Sequence, residues 1–220
     1  MIEIKISDNI KNICPDVTLG YLQCQVCVKD SCEDLLNELE QCAQNLINQL
    51  SLEEIANLPR IKDARETYKK LGKSPSKYRI SSEALLRRIL QKKGIYKINN
   101  IVEINNLISL KSHFSVGSYN LSAIESPIFL TIGEKNQSYK GIGKEQINIE
   151  NLPVLTDSLS TFGSPTSDSE RAMITKNANN ILMCIYSFSG KDNLLDYLHE
   201  SKTLLEKYAD ASNVTLTIVD

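Results

Sequence analysis

The stretch KINNIVEINNLISL, Lys97–Leu110, decides how the chain is read. From Asn99 to about Leu110 its apolar residues recur at helical spacing, and two Asn pairs, Asn99–Asn100 and Asn105–Asn106, frame the run. The pairs could be compositional, because Asn, Ile and Lys recur all along the chain. They could also form a pocket wall that recognises a ligand by hydrogen bonds, each amide offering donors and an acceptor. After His113 the composition changes: Gly, Ser and Pro increase, and short strands separated by turns are expected. Helices thus cluster in the middle of the chain instead of alternating with strands, which predicts an α+β fold with a mixed sheet and packed helices.

Upstream of the stretch, Ile2–Ile6 and Gly20–Val28 alternate as strands. Ser31 is placed to cap a long helix with Leu35, Leu39, Cys42, Ala43, Leu46, Ile47 and Leu50 on one stripe. Ser51 and Glu54 form a capping-box pattern. A helix over about 60–71 turns Ile61, Ala64, Tyr68 and Leu71 inward and stops at Gly72, and another starts at Ser81 or Ser82 and buries Leu85, Leu86, Ile89 and Leu90. Downstream, strands are expected at 128–132, 146–149 and 181–188, then an amphipathic helix over 193–208 and a final strand with Val214, Leu216 and Ile218 on one face. One domain over 1–220 is expected, with 1–30 and 190–220 as peripheral elements.

The bulk properties exclude several classes. The 220 residues are 41% hydrophobic and 24% charged, values of an ordinary globular chain that buries its own core. No window approaches the roughly 18 apolar residues of a membrane span, and the start carries no secretory signal, so the cytoplasm is the expected location and no membrane partner is expected. Cys24 and Cys27 make half of a zinc motif, but strand alternation points them to opposite faces, and His113 and His199 are isolated. Buried free thiols are expected, with no metal and no cofactor. No GxSxG elbow supports a Ser-His-Asp hydrolase, and His113 is given no role.

Charge is uneven. Residues 60–97 hold 13 Lys or Arg against 3 Asp or Glu, whereas the total is −2. Lys69, Lys70, Lys73, Lys77 and Arg79 bracket the turn GKSPSKYR, and Arg87 and Arg88 follow on the next helix. Such a segment can meet phosphates, and its ordinary alternative is a solvated helical face. Of Arg87 and Arg88, one is expected to anchor a phosphate or an internal carboxylate and the other to be solvated.

The segment Arg60–Leu121 carries a basic Arg…Ala…Tyr helix followed by Gly-Lys-x-Pro, a Ser-x-Glu-x-Leu-x-Arg-Arg helix, an Ile-Asn-x-Ile-Val-x-x-x-Asn segment and a Gly-x-Tyr turn. In this order and spacing it resembles the B3/B4 domain, the editing module of the phenylalanyl-tRNA synthetase beta subunit, and especially its free-standing forms. The strongest likeness covers 60–121. The resemblance implies a module that binds a wrongly attached amino acid at the acceptor end of tRNA and hydrolyses the ester. Val102–Asn106 falls on the family's Val-Asp-Val-Thr-Asn motif, which implies Asn105 and Asn106 as substrate-binding residues, Asn106 favoured because adjacent helical residues point about 100° apart. Val116–Asn120 falls on Leu-His-Ala-Phe-Asp, which implies Gly117, Ser118 and Tyr119 and leaves Gly117 where the family has its editing His. Asp157 and Asp168 are both candidates for a ligand-reading carboxylate. The implied partners are tRNA or aminoacyl-tRNA and an amino acid. Nothing resembles the ATP-binding core of a complete tRNA ligase. The alternative is a non-catalytic RNA- or amino-acid-binding module that keeps the fold.

Overall fold

The computed structural model describes residues 2–220. In chain order the elements are β1 (Ile4–Ile6), α1 (Asp8–Ile13), β2 (Thr18–Gln25), α2 (Glu33–Gln49), α3 (Pro59–Lys70), α4 (Ser81–Leu90), α5 (Asn100–Ser112) and β3 (Ser115–Asn120). There follow β4 (Ile128–Ile132), β5 (Ser138–Lys140), β6 (Gln146–Asn148), β7 (Pro153–Thr156), β8 (Thr161–Gly163), β9 (Asn180–Ser187), α6 (Leu194–Ala209) and β10 (Ser212–Val219). The α+β expectation holds.

Two four-stranded sheets organise these elements. One has the order β1-β4-β7-β8 and is mixed, because β1 runs parallel to β4 while the other pairs are antiparallel. The other has the order β10-β2-β9-β3 and is antiparallel throughout. The segments expected at the periphery are not peripheral: β2 is an inner strand of the second sheet, α6 packs on it and β10 forms its edge. Register explains why. Every residue of β2 from Thr18 to Gln25 pairs with β9, so an apolar strand near the N-terminus fills the sheet centre.

Strand alternation gives the second sheet two different faces. Leu22 and Cys24 of β2, Met183 and Ile185 of β9, and Val116 and Ser118 of β3 face α5 and α6, with α2 packed outside α5. Leu19 and Tyr21, Cys184 and Tyr186, and Ser115, Gly117 and Tyr119 face the other way, where the ring of Tyr119 meets Phe162 of β8 edge-on at 5.0 Å. The helices form as their apolar stripes require: Leu35, Leu39 and Ala43 of α2, Ile61, Ala64 and Tyr68 of α3, and Leu86 and Ile89 of α4 are buried in one contiguous core. Each such Leu or Ile contributes about 1.5–3 kcal/mol relative to exposure.

Two local expectations are corrected. Ser31 does not cap α2, since its hydroxyl donates to the buried carboxylate of Glu103, and Cys32 stands at the cap with no side-chain bond. Gly117 does not sit in a turn but in the middle of β3, paired with Cys184. Of the six free thiols, Cys14, Cys24 and Cys184 are buried as expected, whereas Cys27 and Cys32 are exposed because β2 ends at Gln25 and the chain leaves the sheet.

Candidate functional site

The alternation of β3 separates the expected site residues. Ser118 points to the helical layer, where its hydroxyl donates to Oδ1 of Asn105 at 2.8 Å, both side chains buried. Gly117 and Tyr119 point to the opposite face. The structure therefore pairs Asn105 with Ser118 and gathers Gly117, Tyr119 and Asp168, but it does not bring the two groups into one pocket. Asn106 is half-buried and its side chain has no hydrogen bond among the described residues. The other Asn pair is architectural: Asn99 caps α5 by accepting from the amide of Val102, while Asn100 bonds the amide of Lys29 and the carbonyls of Cys27 and Tyr208. Asn100 thus ties the end of β2 to α6.

The second group is built around Asp168, in the loop Ser164–Asp168 that follows β8. Oδ1 of Asp168 accepts from the Tyr119 hydroxyl at 2.8 Å and from the amide of Ser164 at 3.1 Å. The Tyr119 hydroxyl also lies 2.7 Å from that of Tyr186. Oδ2 has no donor among the described residues and would lie 3.3 Å from a Cβ placed on Gly117. A Cβ on Gly163 would come within 2.6 Å of the Tyr119 ring. The absence of side chains at Gly117 and Gly163 is what lets the phenol reach the carboxylate.

The loop itself is braced on all sides. The Ser164 hydroxyl donates to the carbonyl of Ser167 at 2.8 Å and accepts from the amide of Ser167 at 3.1 Å. The Tyr139 hydroxyl of β5 donates to the Ser167 carbonyl, Tyr68 of α3 bonds Thr166 at 2.9 Å, and the amide at the start of α4, Ser81, donates to the carbonyl of Pro165 at 2.7 Å. This scaffold fixes Asp168 while leaving Asp168, Ser167 and Thr166 partly exposed.

Electrostatics follow from that placement. Burial of the Asp168 carboxyl raises its pKa to about 6, against the lowering pull of the Tyr119 and Ser164 hydrogen bonds and of Lys144. Burial, the Asp168 charge and the neighbouring phenol push Tyr119 well above the usual phenol range, so it remains a donor. Burial likewise raises the Cys184 thiol, which stays protonated beneath the carboxylate. A carboxylate that titrates near neutrality and keeps one oxygen unengaged can accept a proton from water or bind an ammonium or hydroxyl.

Asp157 is arranged differently. It accepts from the amides of Glu125, Leu159 and Ser160 at 2.9–3.0 Å and from Arg171 at 2.9 Å, with its side chain fully buried. Burial works to raise its pKa, but the Ser160 and Glu125 amides and Arg171 prevail and hold it below the usual carboxylate value. Its hydrogen-bonding capacity is spent on organising the 157–160 turn.

The basic set divides too. Lys69, Lys70, Lys77 and Arg79 are exposed, while Lys73 is half-buried, lies over the Tyr78 ring and donates to Asn148 at 2.9 Å. Arg87 is committed to the fully buried carboxylate of Glu83 at 2.9 Å, together with Arg65 at 2.9 and 3.0 Å and Arg79 at 3.8 Å. Arg88 bonds the carbonyls of Lys93 and Gly94 and stacks on Tyr96.

Residues 63–218 match the family model described as the B3/4 domain. The chain belongs to the B3/4 domain family. The family expected from the Arg60–Leu121 segment is thus the family found. No curated protein matches this B3/4 chain. Among solved structures it is similar to an N-terminal fragment of the phenylalanyl-tRNA synthetase beta subunit from Pyrococcus horikoshii, at 12% identity and a TM-score of 0.48. The likeness covers 99% of this chain and 50% of that one, so the B3/4 chain spans half the length of the fragment.

Sequence reasoning missed Tyr186, Ser164, Tyr139 and Glu83. The first three look like ordinary strand and loop residues until β9, β8 and the β5–β6 hairpin are assembled. Glu83 carried a usable signal, since it lies i,i+4 to both Arg79 and Arg87. Among the described residues no group of three or more His, Cys, Asp or Glu could hold a metal, and no helix is long and apolar enough to cross a membrane.

Proposed function

We propose that this B3/4 chain binds the aminoacylated end of tRNA and hydrolyses the ester, with Asp168 as the general base. Membership of the B3/4 family and the motif likeness over 60–121 support the substrate class. The observation that carries the reaction is Asp168: a carboxyl whose pKa is raised to about 6, anchored through Oδ1 by Tyr119 and Ser164, with Oδ2 left without a hydrogen bond beside the side-chain-free Gly117.

An aminoacyl ester is already activated, so its hydrolysis requires a positioned water and stabilisation of developing charge more than a strong base. Oδ2 of Asp168 takes a proton from water as the water oxygen attacks the ester carbonyl carbon. The tetrahedral intermediate collapses with cleavage of the bond to the ribose oxygen, which receives the proton held by Asp168, so that the free amino acid and the uncharged tRNA are released and the carboxylate is regenerated. Tyr119, kept protonated by burial, holds Asp168 in place. The exposed Lys69, Lys70, Lys77 and Arg79 supply positive charge for the phosphate backbone.

A second reading is favoured by one observation. The ring of Tyr119 fills the space between Gly117 and Gly163, the position where the family has its editing His carries no side chain, and a binding module without hydrolysis would need neither. Single-turnover deacylation of a panel of correctly and incorrectly charged tRNAs separates the two. Rapid loss of one or a few species, abolished in Asp168→Asn, is the expected result. No loss from any species, with salt-dependent tRNA binding retained, would leave the binding module.

A further inference from the structure

Away from Asp168, an open groove of about 700 Å³ runs between α2 and the loop joining α4 to α5. Its floor is apolar, formed by Leu36, Leu39, Ala43 and Ile47 along one stripe of α2 and by Ile89 and Ile95 opposite. Tyr96 stands at the rim with 64% of its surface exposed and no partner ring among the described residues. One face of its ring is occupied by the Arg88 guanidinium, centred 3.8 Å from the ring centroid. Arg88 is itself fixed by the carbonyls of Gly94 and Lys93 at 2.8 and 3.0 Å.

The rim is chemically two-sided. On the loop side Lys92 and Lys97 line the groove and Lys93 is exposed beside them. On the α2 side stand Gln44 and Asn48, bonded to each other at 3.2 Å, together with Glu40. Amide groups, an aromatic face backed by a guanidinium and a row of ammonium groups are the components that hold an unpaired nucleotide: the base stacks, its edge meets the amides and the phosphates follow the lysines. The loop also ends the segment that holds 13 basic residues.

We propose that this groove binds single-stranded RNA, with a base stacked on the free face of Tyr96 and the backbone running along Lys92, Lys93 and Lys97. The proposal rests on the tRNA reading above and adds to it a second contact, for an unpaired region remote from Asp168. The polyanion keeps to the loop side, since Glu40 repels it from α2.

The test is fluorescence anisotropy of a labelled single-stranded RNA decamer titrated with the protein, with Tyr96→Ala and the double variant Lys92→Glu, Lys97→Glu. Tyr96 is mostly exposed, so its replacement leaves the core intact, and circular dichroism of each variant checks this. The expected result is salt-dependent binding that weakens about 10-fold or more in Tyr96→Ala. In the double variant the slope of log affinity against log salt falls by about 1.4, on the order of 0.7 per phosphate contact. Absence of binding, affinity unchanged in Tyr96→Ala, or equally tight binding of a polyglutamate decamer of matched charge would overturn the proposal. Loss of the deacylation reading alone, with Tyr96-dependent RNA binding intact, would leave the groove standing; the reverse pattern would remove the groove and leave Asp168.

Discussion

Tyr119 of β3 donates its phenolic hydrogen to Asp168 at 2.8 Å, reaching a residue 49 positions away in sequence through a gap left by two glycines. The bond joins the antiparallel sheet to the loop after β8, and it holds one carboxylate oxygen while the other has no donor among the described residues. Removing the donor has two effects. Tyr119→Phe leaves Asp168 with the Ser164 amide as its remaining donor on that oxygen, which raises the carboxyl pKa further and loosens its orientation.

The raised pKa makes Asp168 a pH-dependent liability for stability. Below the ordinary value of 3.8 the carboxyl is protonated in both folded and unfolded chains and costs nothing. As pH rises from 3.8 to about 6 the unfolded chain releases its proton while the folded one retains it, so stability falls. The full cost above that window approaches about 3 kcal/mol at 1.36 kcal/mol per unit, lessened by the part of Asp168 that remains in water. Asp168→Asn, which keeps an acceptor for Tyr119, is expected to melt several degrees above wild type at pH 7.5 and to lose that advantage at pH 3.5. Calorimetry at the two pH values checks this; equal differences at both would refute it.

Asn105 and Ser118 satisfy each other inside the helical layer. Either Asn105→Ala or Ser118→Ala leaves a buried polar atom unpaired and is expected to cost about 1–3 kcal/mol by urea denaturation. Asn106→Ala, at a half-buried position without a bond, is expected within about 0.5 kcal/mol of wild type. A larger loss at Asn106 than at Asn105 would contradict the assignment of Asn105 to structure.

Glu83 and the lysines of α3 separate stability from charge. Glu83→Ala strips the buried carboxylate from Arg65, Arg79 and Arg87 and is expected to cost about 3–5 kcal/mol. Lys69→Glu and Lys70→Glu, both exposed, are expected to leave the melting temperature nearly unchanged while weakening tRNA binding and its salt dependence. Nitrocellulose filter binding at several salt concentrations reads the second effect; unaltered affinity in the double variant would remove α3 from the RNA-contacting surface.

Much of this architecture was legible in the sequence, and its gaps have physical causes. The stripes of α2 to α6 and the alternation of β4 and β10 are local patterns, so periodicity located them. Strand β3 was hidden because Gly117, Ser118 and Asn120 have turn chemistry, and its extended form comes from pairing with β9 more than 60 residues later. Ser31 would cap α2 by local preference, but the buried side chain of Glu103 accepts its hydroxyl instead. Asp157 and Asp168 could not be ranked from sequence, since what distinguishes them is Arg171 on one and Tyr119 on the other. The Asn pairs proved divided: Asn99 and Asn100 serve the helix start, Asn105 serves the sheet, and Asn106 is left with its amide unengaged.

The most direct test of the account is the pH dependence of single-turnover deacylation of the most rapidly hydrolysed aminoacyl-tRNA, for wild type, Tyr119→Phe and Asp168→Asn. The wild-type rate is expected to rise with pH to a plateau with an apparent pKa near 6, the inflection to move upward in Tyr119→Phe, and the rate in Asp168→Asn to be at least about 100-fold lower and without that inflection. A profile that keeps its inflection and its rate in Asp168→Asn would contradict the assignment of Asp168 as the base.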